Sequence, residues 1–210
     1  HFGFPLDAGA VLLIEVDGLE AGLESEATRI EAICKQNRCR EVRRARDAAE
    51  RALLWKCRKQ AFGAIGRLAN SYCTQDGVVP RTKLPHILRE ITRIGEKYSI
   101  AIANVFHAGD GNIHPILLFD ERDSDQTRRV LAASHEILEE CIRCGGSVTG
   151  EHGIGVEKID FMPLMFSPDD LATMLKIRET FNPTGCCSPG KMLPGGARCI
   201  ERTSAVRAAM

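Results

Sequence analysis

Two histidines flank a short, glycine-containing loop in the segment FHAGDGNIHP, residues 106–115. The chain has only six histidines, so the presence of two at one loop needs an explanation. Asp110 followed by Gly111 is typical of a tight hairpin turn, because glycine accepts a positive φ. Such a hairpin would bring His107 and His114 to the same end of a sheet, within reach of a single ion.

A second segment, GSVTGEHGIG at residues 146–155, places a carboxylate beside a histidine. Neighbouring residues of an extended segment point in opposite directions, so Glu151 could bind a metal while His152 faces another part of the same pocket. Two histidines and a carboxylate leave coordination positions open, as in catalytic zinc sites, and related sets bind iron or manganese. Alternatively, the two loop histidines are hydrogen-bonded turn residues and Glu151 is a surface acid. Spacing alone leaves both interpretations open.

The glycines of GEHGIG could instead cradle a phosphate. Phosphate-binding turns use bare backbone amides at the start of a helix, and a carboxylate among those amides would repel a pyrophosphate. Residues 156–160 are also too short to form the required helix before Pro163. No other GxGxxG or GxxxxGK[ST] pattern occurs, so the sequence shows no dinucleotide-binding motif of its own.

The apolar patterning predicts the elements that must position these residues. Strands are predicted at residues 10–17, 40–44, 74–79, 100–106, 116–119 and 147–149, and helices at 23–37, 47–68, 83–98, 124–144 and 168–181. This order predicts an α+β fold with a large antiparallel sheet that helices cover on one face. It also allows two structurally similar halves. The residues from 195 onward are small and polar, which predicts a poorly ordered tail.

Composition narrows the class of protein. The 28 basic and 28 acidic residues balance, which gives no support for a nucleic-acid or anionic-membrane partner. No apolar run approaches the roughly 20 residues that cross a bilayer, so no transmembrane segment is expected. The chain begins with His and shows no signal-peptide pattern, so we expect a fragment of a longer, cytoplasmic protein.

The nine cysteines are expected to be reduced thiols; the alternative is a metal or iron–sulfur site at positions 141/144 or 186/187.

Five segments resemble the C-terminal portion of the FAD-linked 2-hydroxyacid oxidases and dehydrogenases, within the vanillyl-alcohol-oxidase-type flavoproteins. In chain order they are LWKCRKQAFGAIGRL (54–68), QDGVVPRTKLP (75–85), NVFHAGDGNIHP (104–115), GEHGIGVEKIDFMPLMF (150–166) and FNPTGCCSPGKMLP (181–194). The family includes glycolate oxidase D-subunits, D-lactate dehydrogenases and D-2-hydroxyglutarate dehydrogenases. The likeness is greatest to the glycolate oxidase D-subunits and covers about residues 5–194.

The resemblance implies a ferredoxin-like cap domain, single or duplicated, over residues 1–165. A C-terminal helix and loop over residues 166–194 would return to an FAD-binding domain. In the family that domain lies N-terminal to the cap, and nothing in this chain matches it. Lys191 and Ser188 fall at the family's flavin contacts, although the family usually has Asn at position 188.

The resemblance also implies roles for the site residues. His107, His114 and Glu151 match the ligands of a divalent metal, with zinc expected first and manganese or iron as alternatives. His152 matches the histidine that takes the hydroxyl proton of the substrate. Arg58 matches the arginine that holds the substrate carboxylate; without the resemblance, a surface helix charge would be the more natural interpretation.

The implied activity is oxidation of a small D-2-hydroxyacid, of the glycolate or D-lactate type, to the 2-oxoacid by hydride transfer to FAD. Ile116 and Thr74 stand where the D-2-hydroxyglutarate enzymes have Asn and Lys, which argues against a dicarboxylate substrate. The fragment alone is expected to be inactive. Its FAD domain would come in cis or from another chain, and other oxidase subunits could hold it peripherally at the inner membrane. Two alternatives are a non-catalytic docking domain of a multi-subunit oxidase complex and a free-standing zinc hydrolase.

Overall fold

The computed structural model describes residues 3–5 and 7–194, and the chain divides into two compact units with the boundary after Ala64. The first unit contains α1 (Glu20–Gln36) and α2, which spans Ala48–Ile65. Glu50, at the start of α2, is buried and accepts hydrogen bonds from Arg46 and Arg43. These hydrogen bonds lower the pKa of Glu50 to about 2.

The strands predicted at residues 10–17 and 40–44 are wrong, because neither segment is in a strand of the structure. A β-branched apolar run forms a strand only where a neighbouring strand pairs its backbone groups, and the part of this unit that the structure describes offers no such strand. Within residues 10–17, Val11, Leu12 and Ile14 remain exposed. The charged side chains of residues 40–44 instead form ion pairs, for example between Arg44 and Glu24 at 2.7 Å.

The second unit is built on an antiparallel sheet of four strands. They are β1 (Ser71–Thr74), β2 (Gly77–Val78), β3 (Ala101–His107) and β4 (Asn112–Phe119). β4 is central, with β3 along one side and the short β1 and β2 in succession along the other.

Helices α3 (Leu84–Tyr98) and α4 (Ser124–Arg143) cover one face of this sheet. The apolar stripe of α3 has helical spacing, so one side of the helix is apolar and packs on the sheet. The core between the helices and β4 includes Ile87, Ile91, Ile94, Val130, Ala133, Ile137, Ile113 and Leu117. The predicted α+β class, with its antiparallel sheet, is confirmed.

The second unit follows the ferredoxin-like order β-α-β-β-α-β. After α4 the chain returns to the sheet at Ser147, which bridges Val78 on β2. The strand predicted at residues 147–149 is therefore reduced to a single bridge. Within the residues that the structure describes, this order occurs once, since the first unit has helices and no strand.

The last two helices that the structure describes are α5 (Met162–Met165) and α6 (Pro168–Phe181). The last helix begins at a capping box, in which the Ser167 hydroxyl accepts from the Asp170 backbone and the Asp170 carboxylate accepts from the Ser167 backbone. Ile177 and Phe181 on α6 are exposed. The predicted tail from residue 195 lies outside the described residues. None of the helices described is long and apolar enough to span a membrane.

We expect Ile91→Ala to destabilise the second unit by about 2–5 kcal/mol, because it leaves a cavity in the core between α3 and the sheet. Ile91 is fully buried, whereas Ile177 is 57% exposed. The matched control Ile177→Ala should therefore change the free energy of unfolding by less than about 0.5 kcal/mol. Urea denaturation of both variants measures the difference. Equal effects would contradict the assigned packing.

Glu136 on α4 joins this helix to α3 by accepting hydrogen bonds from Lys97, Arg93 and Tyr98. The Lys97 hydrogen bond is the largest cause of a lowered Glu136 pKa, about 2, and burial opposes it. A carboxylate with a depressed folded-state pKa stabilises the fold above its unfolded value of 4.5 and loses that contribution as the pH falls.

Glu136→Gln should therefore lower the free energy of unfolding at pH 7 by up to about 1 kcal/mol, the range of partly exposed ion pairs. The difference from wild type should shrink as the pH falls from 4.5 toward about 2. Urea denaturation at several pH values measures it. Glu96→Gln, an exposed position on α3, is the control, and a difference that stays constant with pH would contradict the prediction.

Candidate metal centre

The β3–β4 hairpin brings His107 and His114 together. In the strand register His107 faces Asn112 and His114 faces Val105, so the two histidines are diagonal neighbours on one face of the sheet. Their ring centroids are 5.5 Å apart, edge to face. Gly111 makes the turn feasible, because its φ is 74° and a Cβ there would lie 2.1 Å from the Val79 carbonyl oxygen.

Glu151 places a carboxylate oxygen between the histidines. Its Oε1 lies 2.9 Å from Nε2 of His114 and 3.8 Å from Nε2 of His107. The three donor atoms lie within 4.8 Å of one another. Tetrahedral ligands at about 2.0–2.1 Å from zinc are roughly 3.3 Å apart, so small side-chain rotations would bring this donor set to a metal.

His114 is the buried member of the cluster, at 2% exposure, whereas the side chains of His107 and Glu151 are about half exposed. Burial lowers the pKa of His114, although the negative charges of Asp76 and Glu151 oppose this shift. The imidazole is therefore neutral near pH 7, which is the form that binds metals.

His152 lies beside the cluster and its ring stacks on His114, with centroids 5.1 Å apart and planes 15° from parallel. Its Nε2 is 3.9 Å from Oε1 of Glu151. About half of its side chain is exposed. His152 thus presents a ring nitrogen next to the candidate ligands, and a bound substrate could reach it from solvent.

Asp76, which sequence reasoning missed, lies beneath this group and is fully buried. Its Oδ2 accepts hydrogen bonds from the Thr149 hydroxyl and from the backbone N–H groups of Gly150, Glu151 and His152, at 2.7–3.2 Å. Burial alone would raise the pKa of Asp76, but these hydrogen bonds outweigh it and lower the pKa. The carboxylate is therefore charged. The one available signal was an Asp inside an otherwise strand-like segment.

The loop that carries Glu151 packs closely on the hairpin. A Cβ at Gly150 would lie 2.6 Å from the amide carbon of Asn112, so only glycine permits this approach. Asn112 is buried at 7% exposure. Its Oδ1 has no hydrogen-bond partner within the part of the chain that the structure describes.

The donor chemistry of the two histidines and the carboxylate fits zinc, manganese or iron.

The three remaining predicted site residues are Arg58, Ser188 and Lys191. Arg58 is on α2 in the first unit, with its guanidinium 6.0 Å from the ring centroid of Phe62. Ser188 and Lys191 lie in the loop after α6 in the second unit. Arg178 holds this loop by donating hydrogen bonds to the carbonyl oxygens of residues 187 and 188, and the N–H of residue 192 donates to Gly155 at the end of the GEHGIG segment.

The eight cysteines that the structure describes are free thiols. Cys141 is buried in the apolar core, where burial raises its pKa to about 12. Cys144 lies near His86 and Glu140, but Arg143 already donates to that carboxylate at 2.7 Å. Among the described residues no candidate metal-binding group contains two cysteines, so the alternative of a two-cysteine ligand set gains no support.

Comparison with known proteins agrees with the resemblance seen in the sequence. Residues 1–192 match the family model of FAD linked oxidases, C-terminal domain. The chain is 43% identical to the glycolate oxidase subunit GlcD of Escherichia coli over 201 residues, which cover 96% of this chain and 40% of that protein. It is 37% identical to GlcD of Bacillus subtilis over 93% of this chain and 42% of that protein.

A more distant relative is the mitochondrial D-lactate dehydrogenase [cytochrome] of Arabidopsis thaliana. It is 27% identical over 194 residues, which cover 91% of this chain and 34% of that protein. The chain thus spans about two fifths of the length of the two glycolate oxidase subunits. It belongs to the FAD-linked oxidase family, as a member of the family's C-terminal domain.

Proposed function

We propose that this chain is the substrate- and metal-binding domain of a flavin-dependent oxidoreductase that oxidises a small D-2-hydroxyacid, of the glycolate or D-lactate type, to the 2-oxoacid. The supporting observation is the grouping of His107, His114 and Glu151, with His152 beside them, in a chain of this family. The relatives' names, a glycolate oxidase subunit and a D-lactate dehydrogenase, support the substrate class.

In this proposal His107, His114 and Glu151 hold a divalent metal, zinc foremost, with manganese or iron as alternatives. His114 is the fixed ligand because it is buried, and the two half-exposed ligands close around the ion from the solvent side. The bound metal would act as a Lewis acid on the substrate hydroxyl. Three protein ligands leave room for that oxygen.

His152 is the proposed proton acceptor. Its Nε2 lies next to the ligand carboxylate, and an imidazole can accept a hydroxyl proton near neutral pH. The stacking of the His152 ring on the buried His114 ring limits its freedom to rotate. FAD, when bound, would supply the redox chemistry by accepting the hydride.

Arg58 is the proposed partner of the substrate carboxylate. A guanidinium can donate two parallel hydrogen bonds to a carboxylate, which would fix the orientation of the substrate and so decide which face of Cα is presented. Ile116 and Thr74 support a small substrate, since they are opposite each other in the sheet register and Ile116 is fully buried. Neither offers a cation for a second carboxylate.

The domain boundaries are also part of the proposal. Residues 1–165 form the cap, and residues 166–194 return to an FAD domain, in cis or on another chain, where Lys191 and Ser188 contact the flavin. The exposed apolar residues Ile177 and Phe181 on α6 support such a return.

We place the protein in the cytoplasm, with docking at the inner membrane through other oxidase subunits. The second candidate, a non-catalytic docking domain, draws on the same exposed face of α6.

Metal content tests the proposed centre first. We expect about one equivalent of zinc, manganese or iron per chain by elemental mass spectrometry, and its loss in His107→Ala because one of three ligands is removed. His135→Ala is the matched control, since its side chain is 54% exposed against 47% for His107. A metal that both variants retain would contradict the ligand assignment. A chain that binds neither metal nor 2-hydroxyacids would favour the docking role.

Activity tests the assigned roles of His152 and Arg58 in the longer protein that includes the FAD domain. His152→Gln should slow flavin reduction by glycolate or D-lactate about 10²–10⁴-fold, the usual contribution of a general base. Arg58→Met should mainly raise KM, because it weakens substrate binding. Anaerobic stopped-flow absorbance of the flavin measures both, with His135→Gln as control. Oxidation of either substrate by the 210-residue chain alone would contradict the need for an FAD domain.

A further inference from the structure

We propose that Asp76 is a positioning residue for this site: it fixes the backbone that carries Glu151 and His152, and its negative charge lies beside the buried His114 ring. The inference rests on the proposed function. Asp76 belongs neither to the proposed ligand set nor to the proposed proton acceptor, and it lies on the short connection between β1 and β2.

The first part of the argument is the convergence of donors on a single oxygen. Oδ2 of Asp76 accepts from three successive backbone N–H groups, at residues 150, 151 and 152, and from the Thr149 hydroxyl. Successive N–H groups that point inward form an anion-binding nest. The nest here encloses a carboxylate of the chain itself, so the path of the backbone at Glu151 and His152 is set by Asp76.

The second part concerns the other carboxylate oxygen. Oδ1 of Asp76 lies 3.9 Å from Nδ1 of His114, while Nε2 of the same ring lies 2.9 Å from Glu151. The 3.9 Å separation is too long for a hydrogen bond, so Asp76 acts on this ring through its charge. A negative charge beside a ligating imidazole makes the ring a stronger donor to a metal. The same carboxylate thus acts on all three groups: the ring of His114 and the backbone of Glu151 and His152.

The third part is the charge balance. A buried carboxylate is costly unless it is paired and hydrogen-bonded. Lys158 is buried at 5% exposure, and its Nζ lies 3.6 Å from Oδ2 of Asp76 and donates to the Asp76 backbone carbonyl at 2.7 Å. Lys158 therefore compensates the negative charge of Asp76 and fixes its backbone carbonyl by a hydrogen bond.

A purely structural role would change stability and leave zinc affinity unchanged. The variant Asp76→Asn separates the two roles, because it is nearly isosteric and its amide oxygen can still accept from the nest, whereas the negative charge is removed. We expect zinc affinity to fall about 10–100-fold, the usual effect of removing an outer partner of a ligating histidine.

The experiment measures zinc affinity of the 210-residue chain by competition with a chromophoric chelator. Folding of each variant is checked by thermal denaturation. The matched control Asp160→Asn removes a carboxylate at an exposed position two residues from Lys158. Thr149→Val keeps the carboxylate but removes the hydroxyl that donates to Oδ2 and accepts from the Gly153 backbone, and it should lower zinc affinity only a few-fold.

The outcomes separate this inference from the proposed function. Wild type that binds neither zinc nor manganese nor iron overturns the metal centre and this inference with it. Wild type that binds zinc, with Asp76→Asn folded and unchanged in zinc affinity, overturns this inference alone. If Asp76→Asn does not fold, Thr149→Val decides, and an unchanged zinc affinity in that variant overturns the inference.

Discussion

The Asp76 carboxylate is enclosed by protein, so the chain itself must supply its hydrogen bonds and its counter-charge. The donors come from residues 149–152 and the counter-charge comes from Lys158. These groups are 73 to 82 positions away in the sequence. A single desolvated anion therefore ties the β1–β2 connection to the GEHGIG segment. An unpaired charge at this depth would be strongly destabilising, which makes the geometry of the loop a condition of the fold as well as of the site.

β4 connects the stability of the second unit to its proposed chemistry. Ile113 and Leu117 face the core under α3 and α4, so by the alternation of a strand Asn112 and His114 face the opposite side. A register slip of one residue would exchange these two sets. It would place an imidazole in the apolar core and an isoleucine beside Glu151. The helix layer thus fixes the register, and the register in turn fixes which side chains reach the candidate metal centre.

The sequence pattern correctly predicted the elements whose contacts are made by residues close in the sequence. The β3–β4 hairpin, the apolar stripe of α3 and the meeting of His107 with His114 follow from turn chemistry and periodicity. The strand at residues 10–17 was wrong because apolar, β-branched composition does not supply a pairing partner. Asp76 was missed because its partners are distant in sequence, and its segment was assigned to a continuous strand. The role of Arg58 came from family resemblance alone, since an arginine on a helix carries no local signal of function.

The exposure of the site groups has a consequence for the proposed mechanism. The side chains of His107, Glu151 and His152 are 47%, 53% and 48% exposed, whereas hydride transfer to a flavin proceeds in a site from which water is excluded. Within the second unit, the candidate ligands and the candidate proton acceptor are therefore open to water. Under the proposed function the enclosure must come with the flavin. Substrate could then reach the candidate ligands and the candidate proton acceptor from solvent before the site is enclosed.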